Sequence, residues 1–200
     1  MPRPRVHDDN LRIRLLAQAG KSVTAHGMAR LSLRTLAAET GTSTTAIYSL
    51  FGGKPGLLGA LFEESFASFG AGQRAVTLTG DAVADLIALG HAYWSWAMEY
   101  PDLYGVMFSQ VLADLDRTPE QAAAAEATIE PLANVVASAV RSGVMVGDPF
   151  TITFGIWAAV HGVVSLVLAR CAPEDRSTVD ALFDAAAAAT VRGWLAPIRT

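Results

Sequence analysis

Residues 32–54, SLRTLAAETGTSTTAIYSLFGGK, constrain the fold more than any other stretch. They spell two short helices joined by a tight glycine turn and ending on a lysine. Ser32 can cap the first helix by accepting a backbone N–H bond, and Leu33, Leu36 and Ala37 then fall on one face at helical spacing. Gly41 supplies the backbone freedom to leave that helix. Ser43 caps a second helix, which turns Ile47 and Phe51 inward at i, i+4. Its opposite face carries Thr44, Thr45, Tyr48 and Ser49, small or hydroxyl-bearing and uncharged. Such a face can enter a major groove and touch phosphates and base edges without repulsion.

The stretch has a wider context. From about Leu11 to Phe62, the order LLAQAG, an apolar gap, the segment above and a helix opening PGLLGALF resembles the DNA-binding domain of the tetracycline-repressor (TetR) family. The resemblance implies a three-helix head that reads operator DNA as part of a dimer, and an all-helical body that senses a small molecule. By position, Thr44, Thr45 and Tyr48 match the recognition-helix contacts, Arg34 the second-helix contact and Lys54 the phosphate contact opening the fourth helix. Ser43 and Ser49 complete the candidate DNA-contacting set. The departure is Gly52-Gly53, where the family usually has a single more polar or proline-bearing step.

Charge distribution supports a nucleic-acid partner independently. Residues 1–56 carry eight basic and three acidic side chains, a net +5, while residues 57–200 carry −9 of the overall −4. A cationic head on an anionic body attracts the phosphate backbone and discourages non-specific wrapping. The expected division is therefore a helix-turn-helix domain over 1–56 and a ligand-binding and dimerisation domain over 57–200.

At 200 residues with 52% hydrophobic and 17% charged content, the chain has a larger core than a monomer needs or a buried interface, so oligomerisation is expected. A single cysteine, Cys171, rules out an internal disulfide framework and a cysteine-cluster zinc site, and fits a reducing cytoplasm. The opening MPRPRVHDDN has no apolar core of the secretory kind. Its PRPR reads as a frayed terminus or as a basic arm that touches DNA.

Helical patterning continues throughout, and the expected fold is all-α with nine helices. The first runs over about 9–24, the second and third are those above, and the fourth opens at Pro55 and continues to near Gly70. A loop over 70–80 precedes a fifth helix capped by Asp81 and reaching Glu99. The sixth covers about 101–112, and the seventh opens at Thr118-Pro119-Glu120-Gln121 and reaches Ser142, with Pro131 inside it as a kink. The eighth starts at Gly147-Asp148-Pro149 and ends near Ala169, and the ninth ends near Leu195.

Residues 150–169, FTITFGIWAAVHGVVSLVLA, contain no Asp, Glu, Lys or Arg. Such a run has the length and apolarity to span a bilayer. The polar residues Thr151, Thr153, His161 and Ser165 dilute it, and a helix apolar all round is also what the centre of a dimer interface requires. Gly155, Ala158, Ala159 and Gly162 would admit a close partner helix, with Leu182, Ala185, Ala186, Ala189 and Trp194 supplying the rest. The resemblance implies a homodimer built on the eighth and ninth helices, with no membrane role.

Trp157, His161 and Gly162 form a W-x3-H-G pattern similar to one C-terminal subgroup of the family, and YPDLYGVMF at 100–108 resembles the same subgroup. Trp157 and His161 are i, i+4 and share a face, as a core histidine or as a ligand contact. Tyr93, Trp94, Trp96, Met98, Tyr104, Met107 and Phe108 crowd two helices with large soft side chains. The candidate ligand-binding set is His91, Trp94, Met98, Tyr104, Met107, Phe108, Trp157 and His161, around a cavity for an apolar or aromatic effector. The alternative for each is ordinary core. The four histidines lie far apart with no H-x3-H pair, and no catalytic frame or nucleotide loop is present, so no metal, cofactor or enzymatic activity is expected.

These readings converge on a cytoplasmic, homodimeric repressor released from a palindromic operator by a small apolar molecule. An effector-independent dimeric regulator is the alternative, and a membrane-anchored sensor a third.

Overall fold

The computed structural model describes residues 5–108 and 118–197. Among them the chain forms nine helices, one interrupted, and no strand beyond an isolated antiparallel bridge between Met145 and Leu195. The helices are α1 (Arg5–His26), α2 (Leu33–Glu39), α3 (Thr44–Phe51), α4 (Lys54–Arg74), α5 (Ala82–Glu99) and α6 (Pro101–Phe108). Then come α7, in two halves (Pro119–Glu126 and Glu130–Arg141), α8 (Pro149–Leu168) and α9 (Arg176–Gly193). The arm read at residues 2–5 lies, apart from Arg5, outside the described residues, as does the expected end of α6 at 109–112.

Most helix starts follow from their capping residues. Asp81 accepts from Val83 and Ala84 N–H, Asp148 from Thr151 N–H and Asp175 from Thr178 N–H. At α7, Gln121 N–H donates to Thr118 Oγ1 while Thr118 N–H donates to Gln121 Oε1, a reciprocal capping box. Pro131 removes a backbone donor, and the turn before it tightens into a 3-10 segment, Ala127–Ile129, at the place where a kink is expected from sequence.

One boundary differs in a way that matters below. α4 opens one residue before Pro55 and does not stop at Gly70 but continues to Arg74. Gly70 is in the helix because the neighbouring chain passes close: a Cβ there would lie 3.3 Å from Thr128 Cγ2 and 2.8 Å from Arg74 Nη1. Close approach, and not helix termination, accounts for this glycine.

The described chain packs as two compact units, 1–68 with 100–125 and 69–99 with 126–200. In the first, Leu15 and Ala19 of α1, Leu36 of α2, Ile47 of α3 and Leu61 of α4 are almost wholly buried together with Val106 of α6. Thr24 Oγ1 of α1 donates to the Asp102 carbonyl at 3.1 Å, and Gly105 sits where a Cβ would come within 2.9 Å of Thr24. In the second, Leu86 and Leu89 of α5 meet Val136 of α7, Ile152 and Ile156 of α8 and Val191 of α9. Phe69 meets the Tyr93 and Trp96 rings edge-on at 5.2 and 5.1 Å. Buried Asp85 accepts from Thr79 N–H, Thr79 Oγ1 and Gly80 N–H, tying the 75–81 connection to α5. The Thr79 N–H is the main reason its carboxyl is held below the ordinary range, against the opposing effect of burial.

Candidate nucleic-acid interface and interior cavity

The candidate recognition residues lie on α2, on α3 and its cap, and at the start of α4, within the first unit. Ser32 Oγ accepts from Thr35 N–H at 3.3 Å, opening α2, and Ser43 Oγ accepts from Ala46 N–H at 3.2 Å, opening α3. Between them the backbone turns at Gly41 with φ of 66°. Ile47 is fully buried while Tyr48, on the same helix, is 59% exposed. That contrast orients α3 and leaves Thr45 and Ser49 exposed beside Tyr48, with Thr44 half-buried. Arg34 is exposed on α2, and the cations Arg14, Lys21 and Arg30 are also exposed in this unit. Arg12 is engaged internally, 3.8 Å from Glu64 and over the Phe51 ring.

The double glycine after α3 has a geometric reason. Gly52 takes the left-handed conformation (φ 73°, ψ 4°) that ends the helix, its N–H returning to the Tyr48 carbonyl. Gly53 has φ of 120°, and a Cβ there would lie 3.1 Å from Tyr48 Cε1. The Tyr48 ring therefore rests on a position that tolerates only glycine without strain. Lys54 follows at once, its Nζ 3.5 Å from the Ala29 carbonyl, a long bond that leaves most of its donor capacity unused.

In the second unit the residues expected at a ligand site separate into groups. Trp157 and His161 share a face as expected, with ring centroids 6.1 Å apart. His161 has both ring nitrogens engaged, Nδ1 with Tyr93 Oη at 3.1 Å and Nε2 with Ser165 Oγ at 3.3 Å. Burial pushes its pKa down, which keeps the ring neutral. His91 and Trp94 instead face α9. Trp94 Nε1 donates to Asp180 Oδ1 at 3.1 Å with the ring 4.6 Å from Phe183, and His91 Nε2 lies 3.4 Å from Asp184. Met98 is half-buried near the end of α5. Tyr104, Met107 and Phe108 belong to the first unit, where Tyr104 and Met107 are buried and Phe108 is partly exposed. Within the second unit, the expected residues thus divide between a face packed on α9 and the Trp157–His161 pair.

The second unit instead holds a small cavity of about 30 Å³. Leu86, Leu89, Ile156 and Val160 form its aliphatic wall, Tyr93 and Trp157 its aromatic one, and Gly90 leaves room on α5. Leu132 of α7 and Gln73 of α4 complete it. Gln73 is 6% exposed, and its Nε2 has no hydrogen-bond partner among the described residues. Gln73 is hidden in the sequence because Gly70 reads there as the end of α4, which in fact continues to Arg74. Had the helical period been continued, Phe62, Phe69 and Gln73 would have fallen on one inward face. Among the described residues no group of three or more His, Cys, Asp or Glu comes together as a metal site.

A helix-turn-helix head joined to an all-helical body defines a class of DNA-binding transcription regulators. The model of the family described as Bacterial regulatory proteins, tetR family, matches residues 15–61, and that of the Tetracyclin repressor-like, C-terminal domain matches residues 86–190. The chain belongs to the tetracycline-repressor (TetR) family. A Rhodococcus sp. RHA1 protein of unknown function is 30% identical with a TM-score of 0.74, covering 93% of this chain and 96% of that one. The TetR family transcriptional regulator PfmR from Thermus thermophilus is 20% identical with a TM-score of 0.74, over 90% of this chain and 97% of that one. A TetR family transcription regulator from Marinobacter aquaeolei VT8 is 21% identical with a TM-score of 0.73, over 94% and 98%. These last two likenesses show the fold alone. A search of the curated proteins returns no match.

Proposed function

We propose that the protein is a cytoplasmic homodimeric repressor that leaves a palindromic operator when an apolar small molecule occupies its body. The observation that carries the ligand response is the cavity in the second unit, which reaches α4 at Gln73. α4 is one continuous helix with Lys54 as its first residue, directly after the α3 turn. Gln73 lies nineteen positions after Lys54, roughly 28 Å along the helix. A ligand that shifts the last turn of α4 acts on the element that positions the recognition helix. A coupling of about 1–3 kcal/mol changes operator occupancy by several-fold to about a hundredfold.

The DNA contacts in this reading are Arg34, Thr44, Thr45, Tyr48, Ser49 and Lys54, with Ser43 as the cap that holds them. Of the ligand residues expected from sequence, Trp157 remains at the cavity with His161 behind it, and Tyr93, Leu132 and Gln73 join them.

Dimerisation is supported by the uncovered apolar surface of α8 and α9. Phe150 and Phe154 are 77% and 54% exposed, and Leu166 and Leu182 are about half exposed. α8 is long and apolar enough to cross a membrane by length and composition, and a partner copy covers such a face equally well. Gly162 has open space around it, as a close helix contact needs, whereas Gly155 is covered by Trp194 of the same chain. Trp194 packs on Gly155 within the subunit and is half-buried there, so part of it still faces outward.

The test is in two stages. An operator is selected from random duplex DNA, and its binding is measured against salt, with a palindromic site and a steep salt slope expected. A library of uncharged hydrophobic compounds is then screened for release, and a dimer that no compound releases would overturn the effector reading. That outcome favours an effector-independent regulator, a reading supported by the small size of the cavity.

A further inference from the structure

We infer that Gln73 is the polar recognition point of the cavity, and that its ligand is an uncharged molecule with an apolar body and one hydrogen-bond acceptor, a carbonyl in the simplest case. This rests on the effector reading above and adds the chemistry of the ligand to it. Buried polar groups in folded proteins are almost always paired, so an amide nitrogen left without a partner calls for an occupant. Gln73 meets that condition at the edge of a cavity whose other walls are aliphatic or aromatic. Of the other polar side-chain groups on the lining, the Tyr93 hydroxyl is already engaged by His161, and the Trp157 indole nitrogen can only donate. Among the described residues no charged side chain lines the cavity, so a carboxylate or ammonium ligand would be desolvated without a counter-charge. An acceptor offered to Gln73 Nε2 is the chemistry that remains.

Size defines how the ligand enters. A cavity of about 30 Å³ holds a water molecule but no aromatic ring, so its walls move on binding. Leu132 and Trp157 are the half-buried walls. Leu132 directly follows Pro131, at the 3-10 break where α7 already lacks regular hydrogen bonding.

The experiment uses the full-length protein and two isosteric probes, acetophenone and α-methylstyrene, which differ by a carbonyl oxygen in place of a methylene. Binding is read by tryptophan fluorescence and by the melting shift, in wild type and in Gln73→Leu. The variant removes the unpaired amide and keeps a strong helix former, so its melting temperature stays at or above that of wild type. Wild type is expected to bind the ketone about tenfold or more tightly than the alkene, and Gln73→Leu to lose that preference while still binding the alkene. Equal affinities in wild type, or a ketone preference that survives in Gln73→Leu, overturn the assignment and leave the effector reading standing. Binding of neither probe also overturns it, Gln73 then being served by a buried water, and the effector reading rests on the release screen alone. Should Gln73→Leu melt lower than wild type, Gln73→Met supplies the same comparison with an unbranched apolar chain.

Discussion

Gly53→Ala tests the link between backbone geometry and DNA reading most directly. Two separate effects meet at this residue. Its φ of 120° lies where L-residues are strained, a cost of about 1–3 kcal/mol. The added Cβ would also stand 3.1 Å from Tyr48 Cε1, so the ring must withdraw by a few tenths of an ångström. In a chain of this length the strain alone lowers the melting temperature by about 2–12 °C, if unfolding is two-state. Displacing Tyr48 weakens a contact of hydrogen-bond strength and lowers operator affinity by about two- to tenfold. Thermal denaturation and gel-shift titration measure the two separately. Tyr48→Ala, at an exposed position, should lower affinity with little change in melting, and in that background Gly53→Ala should keep its stability cost and lose most of its binding cost. A Gly53→Ala protein that melts within about 1 °C of wild type would refute the strain argument. Additive binding losses in the double variant would refute the contact with Tyr48.

Further expectations follow from single contacts. Lys54→Ala should lower affinity similarly on all sequences and reduce the salt slope by about one unit without altering stability, since its bond to the Ala29 carbonyl is long; an unchanged slope in a salt titration counts against the phosphate contact. Gly162→Glu should leave the subunit folded, there being open space at its Cβ, yet place an unpaired carboxylate in the interface and split the dimer; sedimentation of an intact dimer would remove α8 from that interface. Gly90→Ala should stabilise the protein by about 1 kcal/mol through helix propensity, because its Cβ meets Phe183 and Val160 at an ordinary 3.9 Å, while shrinking the cavity and reducing effector response. Hydrogen bonds from Thr178 and Ser177 side chains and Thr178 N–H hold the Asp175 carboxyl at about 2. A depressed folded pKa means its stabilising effect is full above the ordinary value of about 3.9 and is lost as pH falls toward 2. The stability difference between wild type and Asp175→Ser, followed by circular dichroism against pH, should therefore shrink across that window, and a difference constant with pH would contradict the cap.

Capping, turns and periodicity are local, and the sequence by itself determined what depends on them. Ser32, Ser43, Asp81, Thr118 and Asp148 each act on backbone groups within three residues, so the helix starts and the outward face of α3 were legible without neighbours. Charge was legible for the same reason, since a cationic head needs no packing to be counted. The interior of the body was not. Gly70 reads as a stop in isolation, and only the approach of Thr128 shows it to be a contact point inside a longer α4 that carries Gln73. His91 and Trp94 read as pocket residues by type, yet their partners Asp184 and Asp180 lie on α9, nearly a hundred residues later in the chain. Tyr104, Met107 and Phe108 follow α5 closely in sequence and still pack in the other unit. Aromatic side chains fill a core and line a cavity through the same apolar contacts, so residue type cannot separate the two uses. Which side chains surround empty space is decided by the docking of α4, α5, α7 and α8, and that is a property of tertiary structure alone.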